Sequence, residues 1–499
     1  MNQGIAHSVA KNTTVMIVSQ FMTWVSSFVL MLFLPRYLGS EEYGKLFLAI
    51  SITMIFQMVV EFGGGYYIAK EVSREREKVS VILSNSIAFR FVVWLVGFVA
   101  LMSIAVWIGY SSNVIAVIYI LAFSKLWEGV GKVYHSTCQG LEMMHYPAIS
   151  AIVERVVVTS LSVAALMLGA DVVTIAVIMA LSTLLNFLIL SKLMRSEVPY
   201  VWIPKITEVT RIAKASIPYF MWMMFSVVYY RIDAVMLSFM TPESVVGWYG
   251  AAYRFFDVLM FLPSIYSMAL FPLLSKLWAT KENAVSVTTQ KSLQFIVLAG
   301  IPISICVFTF SHEIIELFFG AEEYFQSILL LRIFSVGLLL VYIDFVLGTA
   351  LFASDRQRQW TLTAFLAMLL NPVLNYLLIP YTQVNEGNGG IGAALATLLT
   401  EFFVMIMALR YMPRTVFRDA NPNFLYKGFV AGLLMCVTLW LFNESNVHWL
   451  LTALVAAAVY CAALYNLKVV EPAEVNFLRT FFSIKNLKNL FVLSKESRT

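Results

Sequence analysis

The residues of this 499-residue chain that could do chemistry are the few charges set inside otherwise apolar stretches. A charge near the centre of a bilayer costs about 2.5–3.5 kcal/mol on insertion scales, so each one needs a partner, a wet cavity or a reach to the interface. Arg231 and Asp233 are two residues apart, which turns them to different faces of a helix and keeps them from neutralising each other directly. Arg254 and Asp257 are three apart and share a face. That spacing permits an intrahelical ion pair and leaves a structural and a functional role equally open. Arg90 stands about two and a half turns from the cytoplasmic end of its helix, within snorkelling reach. Glu61 cannot reach as far, and the Gly63-Gly64-Gly65 that follows it is a break able to expose backbone to a cavity. Asp344 and Glu401 lie deep in apolar sequence without an adjacent cation. They are candidates for a proton or sodium site, a neutral hydrogen-bonded acid being the alternative.

Other charges read as structural. Lys125, Glu128 and Lys132 are spaced three and four apart, the pattern of a self-neutralising stripe along one helix. Glu154 and Arg155 are adjacent and near a membrane edge. Cys138, Cys306, Cys436 and Cys461 lie far apart, with none of the close pairings that hold zinc or a disulfide framework. No G-x-x-x-x-G-K-[ST] phosphate loop is present: Gly131-Lys132 lacks the glycine five positions earlier, so ATP does not drive the chain directly. No loop is large enough for a catalytic domain, and neither HExxH nor GxSxG occurs. These observations predict a secondary transporter, not an enzyme, with no catalytic residue, no cofactor and no bound metal.

The elements that carry these residues are set by composition. Hydrophobic residues make up 60% of the chain and charged residues 13%, against roughly 25% charged in soluble domains. Mean hydropathy is +0.81. The apolar residues fall in blocks of about 20, the length that spans a hydrocarbon core of about 30 Å. Blocks near 12–36, 46–69, 81–108, 113–137, 147–169, 172–194, 213–240, 246–275, 290–311, 327–353, 360–380, 390–410, 424–442 and 447–466 predict about fourteen transmembrane helices. The polar stretch from Met1 to Lys11 does not fit a cleaved signal peptide, so the first helix is expected to be retained.

The net charge of +5 matters less than its placement. Lys and Arg gather in alternate connections: Lys70–Lys78, Lys192–Lys214, Lys276 with Lys281, Arg356 with Arg358, Arg410 with Arg414 and Arg418, and a basic tail from Lys468 to Arg498. The loops between them are almost free of cations, Arg36 and Lys45 excepted. Cations are retained on the cytoplasmic side, so both termini are expected there, in a cell inner (plasma) membrane. A nucleic-acid partner is not expected.

Two seams match. Leu38-Gly-Ser-Glu-Glu-Tyr-Gly44 and Met240-Thr-Pro-Glu-Ser-Val-Val-Gly247 each offer Ser or Thr as a helix N-cap, then an acidic residue, then Gly. Six helices separate them. This predicts an all-α protein of two six-helix pseudo-repeat lobes, residues 1–195 and 196–418, around a V-shaped cavity. Residues 419–499 would add a helix pair and a basic cytoplasmic tail. Secondary transporters with internal repeats hold substrate between the repeats.

The motifs Leu34-Pro-Arg-Tyr-Leu-Gly-Ser-Glu-Glu-Tyr-Gly44, Glu61-Phe-Gly63, Arg231-Ile-Asp-Ala-Val-Met236 and Val246-Gly-Trp-Tyr-Gly-Ala-Ala-Tyr-Arg254 stand in this order across the chain. In them the sequence resembles the multidrug/oligosaccharidyl-lipid/polysaccharide (MOP) exporter superfamily, and within it the polysaccharide transporters typified by O-antigen flippases. The resemblance implies alternating-access transport of a polyprenyl-pyrophosphate-linked oligosaccharide to the outer leaflet, with the pathway's polymerase and glycosyltransferases as possible neighbours. An anionic pyrophosphate needs cations in a wet cavity, and arginine suits bidentate phosphate contact. Arg90, Arg231 and Arg254 are therefore expected to bind the head group, and Glu61, Asp233 and Asp344 to couple a cation. The related lipid II flippases carry basic residues in helix one, where this chain has only polar groups such as Gln20, Thr23, Ser26 and Ser27. That departure argues against a peptidoglycan precursor, although the extra helix pair is shared with those flippases. A drug/cation antiporter of the same superfamily is the other transport reading, and a membrane enzyme of polysaccharide assembly the weaker third.

Overall fold

The computed structural model describes residues 3–195, 197–198, 202–280, 282–413, 423–443 and 448–469. Lys281, Arg414, Arg418 and the tail cations Arg479, Lys485, Lys488, Lys495 and Arg498 fall outside the described residues.

The first helix, α1 (Gln3–Glu61), is 59 residues long. At 1.5 Å per residue it would extend about 90 Å, three times a hydrocarbon core. Gly39 folds it into two crossings by leaving helical geometry at φ 77 and ψ 170, a conformation open to glycine and costly for other residues. A second break follows where Phe62 and Gly63 take positive φ of 48 and 66, and α2 (Gly64–Arg74) continues from it. The first lobe is completed by α3 (Val79–Ile108), α4 (Ser112–Gly140), α5 (His145–Met167) and α6 (Val172–Arg195). Then come α7 (Ile206–Met240), α8 (Glu243–Leu259), α9 (Phe261–Thr280), α10 (Glu282–Thr309) and the short α11 (Ser311–Phe319) and α12 (Ala321–Tyr324). The second lobe ends with α13 (Ser327–Ala353), α14 (Gln357–Glu386) and α15 (Gly389–Tyr411). A final pair is α16 (Asn423–Asn443) and α17 (Trp449–Asn466). Thirteen helical stretches among the described residues are long and apolar enough to cross a membrane. Since the first holds two crossings, they make fourteen, as the apolar blocks predict.

The repeat is visible in the packing. In the first lobe α1 packs on α5 and α4 on both α3 and α6; in the second α7 packs on α14 and α13 on both α10 and α15. The fourth crossing is the core of each lobe: Val117, Ile118, Ala122 and Val133 on α4 are fully buried, as are Val341, Tyr342, Val346 and Leu347 on α13. Outer helices keep large apolar side chains exposed, such as Val96 and Val99 on α3 and Val437 and Trp440 on α16; lipid is their solvent. The extra pair docks on α10, where Gly428 and Gly432 admit Leu298 and Ile301 and the Tyr460 hydroxyl donates to the Leu298 carbonyl at 2.9 Å.

The two seams differ from the expected N-caps. The Ser40 amide is taken by Glu323 Oε1 at 2.5 Å, and the Thr241 hydroxyl turns back to the Leu237 carbonyl at 2.7 Å. Neither side chain caps the helix that follows. Instead the seams pack on each other reciprocally. A Cβ on Gly44 would lie 2.1 Å from the Glu243 carbonyl oxygen, and one on Gly247 would lie 1.9 Å from that of Ser40. Two bare backbones meet there because no side chain fits.

Candidate functional site

A cavity of about 730 Å³ runs inside the bundle. Its walls are built almost wholly by the first lobe. The two halves of α1 give Gln20, Ser27, Tyr43, Phe47 and Thr53; α4 gives Lys125, Trp127, Glu128, Lys132 and His135; α5 and α6 give Ser150, Glu154, Arg155, Thr183 and Asn186. Among its lining residues only Arg231 and Arg254 come from the second lobe. The spacing on α5 and α6 follows the helical period, so one face of each helix is turned inward.

The second lobe's two arginines are held differently. Arg231 donates to Asp257 Oδ2 at 3.1 Å and lies over the Tyr253 ring, 5.2 Å from its centroid, an arrangement that attracts a guanidinium electrostatically. The pairing of Arg254 with Asp257 that their spacing permits within α8 is not formed; α7 brings Arg231 to that carboxylate instead. Arg254 is left half-buried at the cavity wall, with no hydrogen bond or ion pair among the described residues. Arg155, facing the cavity from α5, has no side-chain partner among them either.

The first-lobe wall carries charges whose sequence pattern suggested only structure. Lys125 binds Glu128 at 2.7 Å, and Lys132 binds Glu61 at 2.9 Å while standing 4.0 Å from Glu128. The stripe does neutralise itself in part, yet Lys125, Glu128 and Lys132 all line the cavity, as do Glu154 and Arg155. Glu61 is thereby tied to the cavity through Lys132.

Arg90 is not on the cavity wall and does not snorkel. Its side chain is 1% exposed, with Nη1 donating to the Gly129 carbonyl at 2.5 Å and Nη2 unpaired. The guanidinium is turned inward to the Gly129 carbonyl of α4, Nη2 packing in van der Waals contact range of the Gly64 position, 3.6 Å from where its Cβ would stand.

Asp233 and Asp344 sit away from the cavity, within the second lobe. Asp233 accepts from the Tyr249 hydroxyl at 2.9 Å, the Thr397 hydroxyl at 2.7 Å and Asn375 Nδ2 at 2.5 Å. Asn375 also donates to Asn371 Oδ1 at 2.7 Å. Arg231 takes no part, as the two-residue spacing predicts. Asp344 on α13 lies beside Glu401 of α15, which the Tyr229 hydroxyl caps.

One end of the cavity is sealed by the seams and by α12. Glu323 receives the Ser40 amide, its carbonyl receives Trp248 Nε1 at 2.9 Å, and the Tyr324 hydroxyl donates to the Pro35 carbonyl at 3.0 Å. Lys45 binds Glu42, Glu41 and Glu243 at 2.7, 2.9 and 3.3 Å. This cation, an exception in a loop otherwise poor in them, is held by three carboxylates. At the other end the Phe62–Gly63 break meets α7: a Gly63 Cβ would lie 2.4 Å from the Phe220 amide nitrogen, and the Phe62 and Phe220 rings stack with centroids 4.4 Å apart.

Two pseudo-symmetric helical lobes with a charged cavity reaching their interface define a multi-pass membrane protein with the fold of known transporters. The same fold is found in the lipid II flippase MurJ in an inward closed conformation, with TM-score 0.74 and 16% identity over 91% of this chain and 97% of that one. It is found also in an inward-facing multidrug resistance MATE family transporter of the MOP superfamily, with TM-score 0.66 and 12% identity over 83% and 100%. The chain belongs to the polysaccharide biosynthesis protein family, whose model matches residues 9–278. The MatE model matches residues 218–377. The probable flippase AglR of Haloferax volcanii is 28% identical over 214 residues, which are 42% of this chain and 44% of the relative; the match thus spans less than half of that relative's length. The superfamily resemblance carried by the seam and helix motifs is borne out.

Proposed function

We propose that this protein moves a polyprenyl-pyrophosphate-linked oligosaccharide, the repeat unit of a surface polysaccharide such as an O-antigen, from the inner to the outer leaflet by alternating access. The observation that carries the reading is Arg254, without a hydrogen bond or ion pair among the described residues, on the wall of a 730 Å³ cavity. A half-buried cation inside a membrane-spanning bundle is costly without a counter-ion, and an anionic cargo supplies what it lacks. Arg254 and Arg231 hold the pyrophosphate from the second lobe, with Arg155 opposite; a guanidinium fork matches phosphate oxygens. Arg90 supports α4 and does not touch cargo.

The lobes of residues 1–195 and 196–418 rock against each other, with both termini on the cytoplasmic side of the inner membrane. The reciprocal seam packing forms the outer gate, and the contact of Phe62–Gly63 with Phe220 an inner one. Asp233, Asn371, Asn375 and Thr397 offer the all-oxygen donor set suited to a hard cation such as sodium. Turning the Asn375 amide would present its Oδ1, which has no hydrogen-bond partner, and an Asn side chain admits either orientation. The cation would bind where Arg231 and Asp257 stand nearby on α7 and α8, the helices that bear the anion site. Glycosyltransferases and the polymerase of the same pathway are the natural neighbours.

The test is to delete the gene in its native host and measure surface glycan and lipid-linked intermediates by mass spectrometry, with complementation by wild type and Arg254→Ala. Loss of surface glycan, accumulation of a completed lipid-linked oligosaccharide and rescue by wild type alone are expected. Unchanged glycan with raised sensitivity to cationic drugs would replace the cargo with an antiported drug.

A further inference from the structure

The cavity contains a carboxylate that an anion site does not explain. Glu128 is neutralised by Lys125 at 2.7 Å and attended by Lys132. Glu154 forms no ion pair of this kind: its partner is a neutral amide, Asn186 Nδ2, donating at 2.7 Å across from α6 to α5. Both residues line the cavity and both are half-buried. Their remaining acceptors, Glu154 Oε1 and Asn186 Oδ1, have no partner among the described residues. A carboxylate does not itself attract phosphate, whereas a carboxylate and an amide locked together offer a rigid, acceptor-rich edge for hydroxyl donors. Trp127 on α4 lines the same cavity and is fixed by stacking on Phe187, next to Asn186, with centroids 5.5 Å apart. An indole held by stacking in the same cavity as paired acceptors provides an apolar surface for the C–H face of a sugar ring, with polar groups for its hydroxyls.

We propose that Glu154 and Asn186, with Trp127, form a carbohydrate-reading subsite, distinct from the second lobe's Arg231 and Arg254, that binds the hydroxyl-rich glycan head of the cargo. This deepens the proposed function and rests on it. The second lobe's Arg231 and Arg254 then hold the part of the cargo common to all polyprenyl pyrophosphates, and the first lobe holds the part that differs between glycans. Such a site discriminates strongly, because acceptors built to meet a hydroxyl are left unpaired by a cargo that lacks it.

The experiment measures binding of two probes to the full-length protein in detergent micelles: undecaprenyl pyrophosphate bearing no sugar, and the lipid-linked oligosaccharide extracted from host cells lacking the gene. Wild type should bind the glycan-bearing lipid more tightly. Glu154→Gln, which keeps shape and loses charge, and Asn186→Ala should each weaken that binding about tenfold, the loss of one well-made hydrogen bond to a charged or paired group, with the bare lipid's affinity unchanged. Arg254→Ala should weaken both probes alike. Parallel loss of both probes in Glu154→Gln and Asn186→Ala, no loss of either, or equal wild-type affinity for the two lipids would overturn the subsite while leaving the flippase reading in place. Wild type binding neither probe would overturn the flippase reading itself.

Discussion

Lys132 reaches from α4 to Glu61 at 2.9 Å, so the last residue of α1 before its break is tethered to the wall of the cavity. Glu61 immediately precedes the Phe62–Gly63 turn that abuts Phe220 of α7. An anionic cargo that engages Lys132 competes directly with this tether.

Removing one partner should therefore loosen the inner contact. Lys132→Met leaves a largely buried carboxylate unpaired, and Glu61→Gln removes its attraction for the lysine. Each should cost about 2 kcal/mol, the loss of a charge-assisted hydrogen bond. The double exchange Glu61→Lys/Lys132→Glu should recover most of that loss. Thermal unfolding in detergent checks the prediction, and equal destabilisation of the exchange would show that the pair is not what matters.

The seam glycines should gate export. Gly44→Ala and Gly247→Ala each place a methyl group inside contact distance of a carbonyl oxygen, 2.1 and 1.9 Å away as the backbones now stand. Closure must then widen, so both variants should be made at normal levels yet export poorly. A cysteine pair across the seams should cross-link less readily in these backgrounds. Unchanged cross-linking would remove the seams from the gating scheme.

Arg231 and Arg254 should fail in different ways. Arg254 has no partner to strand, so Arg254→Ala should abolish export with normal folding. Arg231→Met strands Asp257, and the protein's level should fall with its activity. Adding Asp257→Asn should restore the level without restoring export. Membrane abundance scored beside glycan display separates the cases.

Sodium should stabilise wild type through the Asp233 cluster. A ligand that binds only the folded state raises stability by about RT ln(1 + [L]/Kd), near 2.7 kcal/mol at a hundredfold excess over Kd. The unfolding temperature should rise in sodium chloride relative to potassium chloride, and Asp233→Asn should abolish the difference. A rise that persists in the variant places the cation elsewhere.

The number and order of the crossings were legible because lipid demands long apolar blocks and leaves few ways to interrupt them. The repeat was legible in Gly44 and Gly247, although their seams were misread as capping signals when they are close-packing surfaces. On the second lobe, Arg231 and Arg254 stood out as charges in apolar sequence, and both reach the cavity. The first-lobe wall was harder to see. Lys125, Glu128 and Lys132 obey the spacing of a self-neutralising stripe, and Glu154 beside Arg155 resembles a membrane edge. Helix periodicity says which residues share a face, not which face a neighbour leaves open. Arg90 misled for the opposite reason, since the carbonyl that holds it inside the bundle belongs to another helix. For Glu154 the usable signal was Asn186, an amide inside an apolar helix with no charge of its own to draw notice.

With nearly every cavity residue contributed by one half of the molecule, the two halves do not share the load equally. In the proposed cycle the cargo stays lodged in the first lobe as the second swings away, and only the grip of Arg231 and Arg254 must be surrendered. A large passenger can thus change sides without being handed from one wall to another: it rides in a cradle whose cover moves.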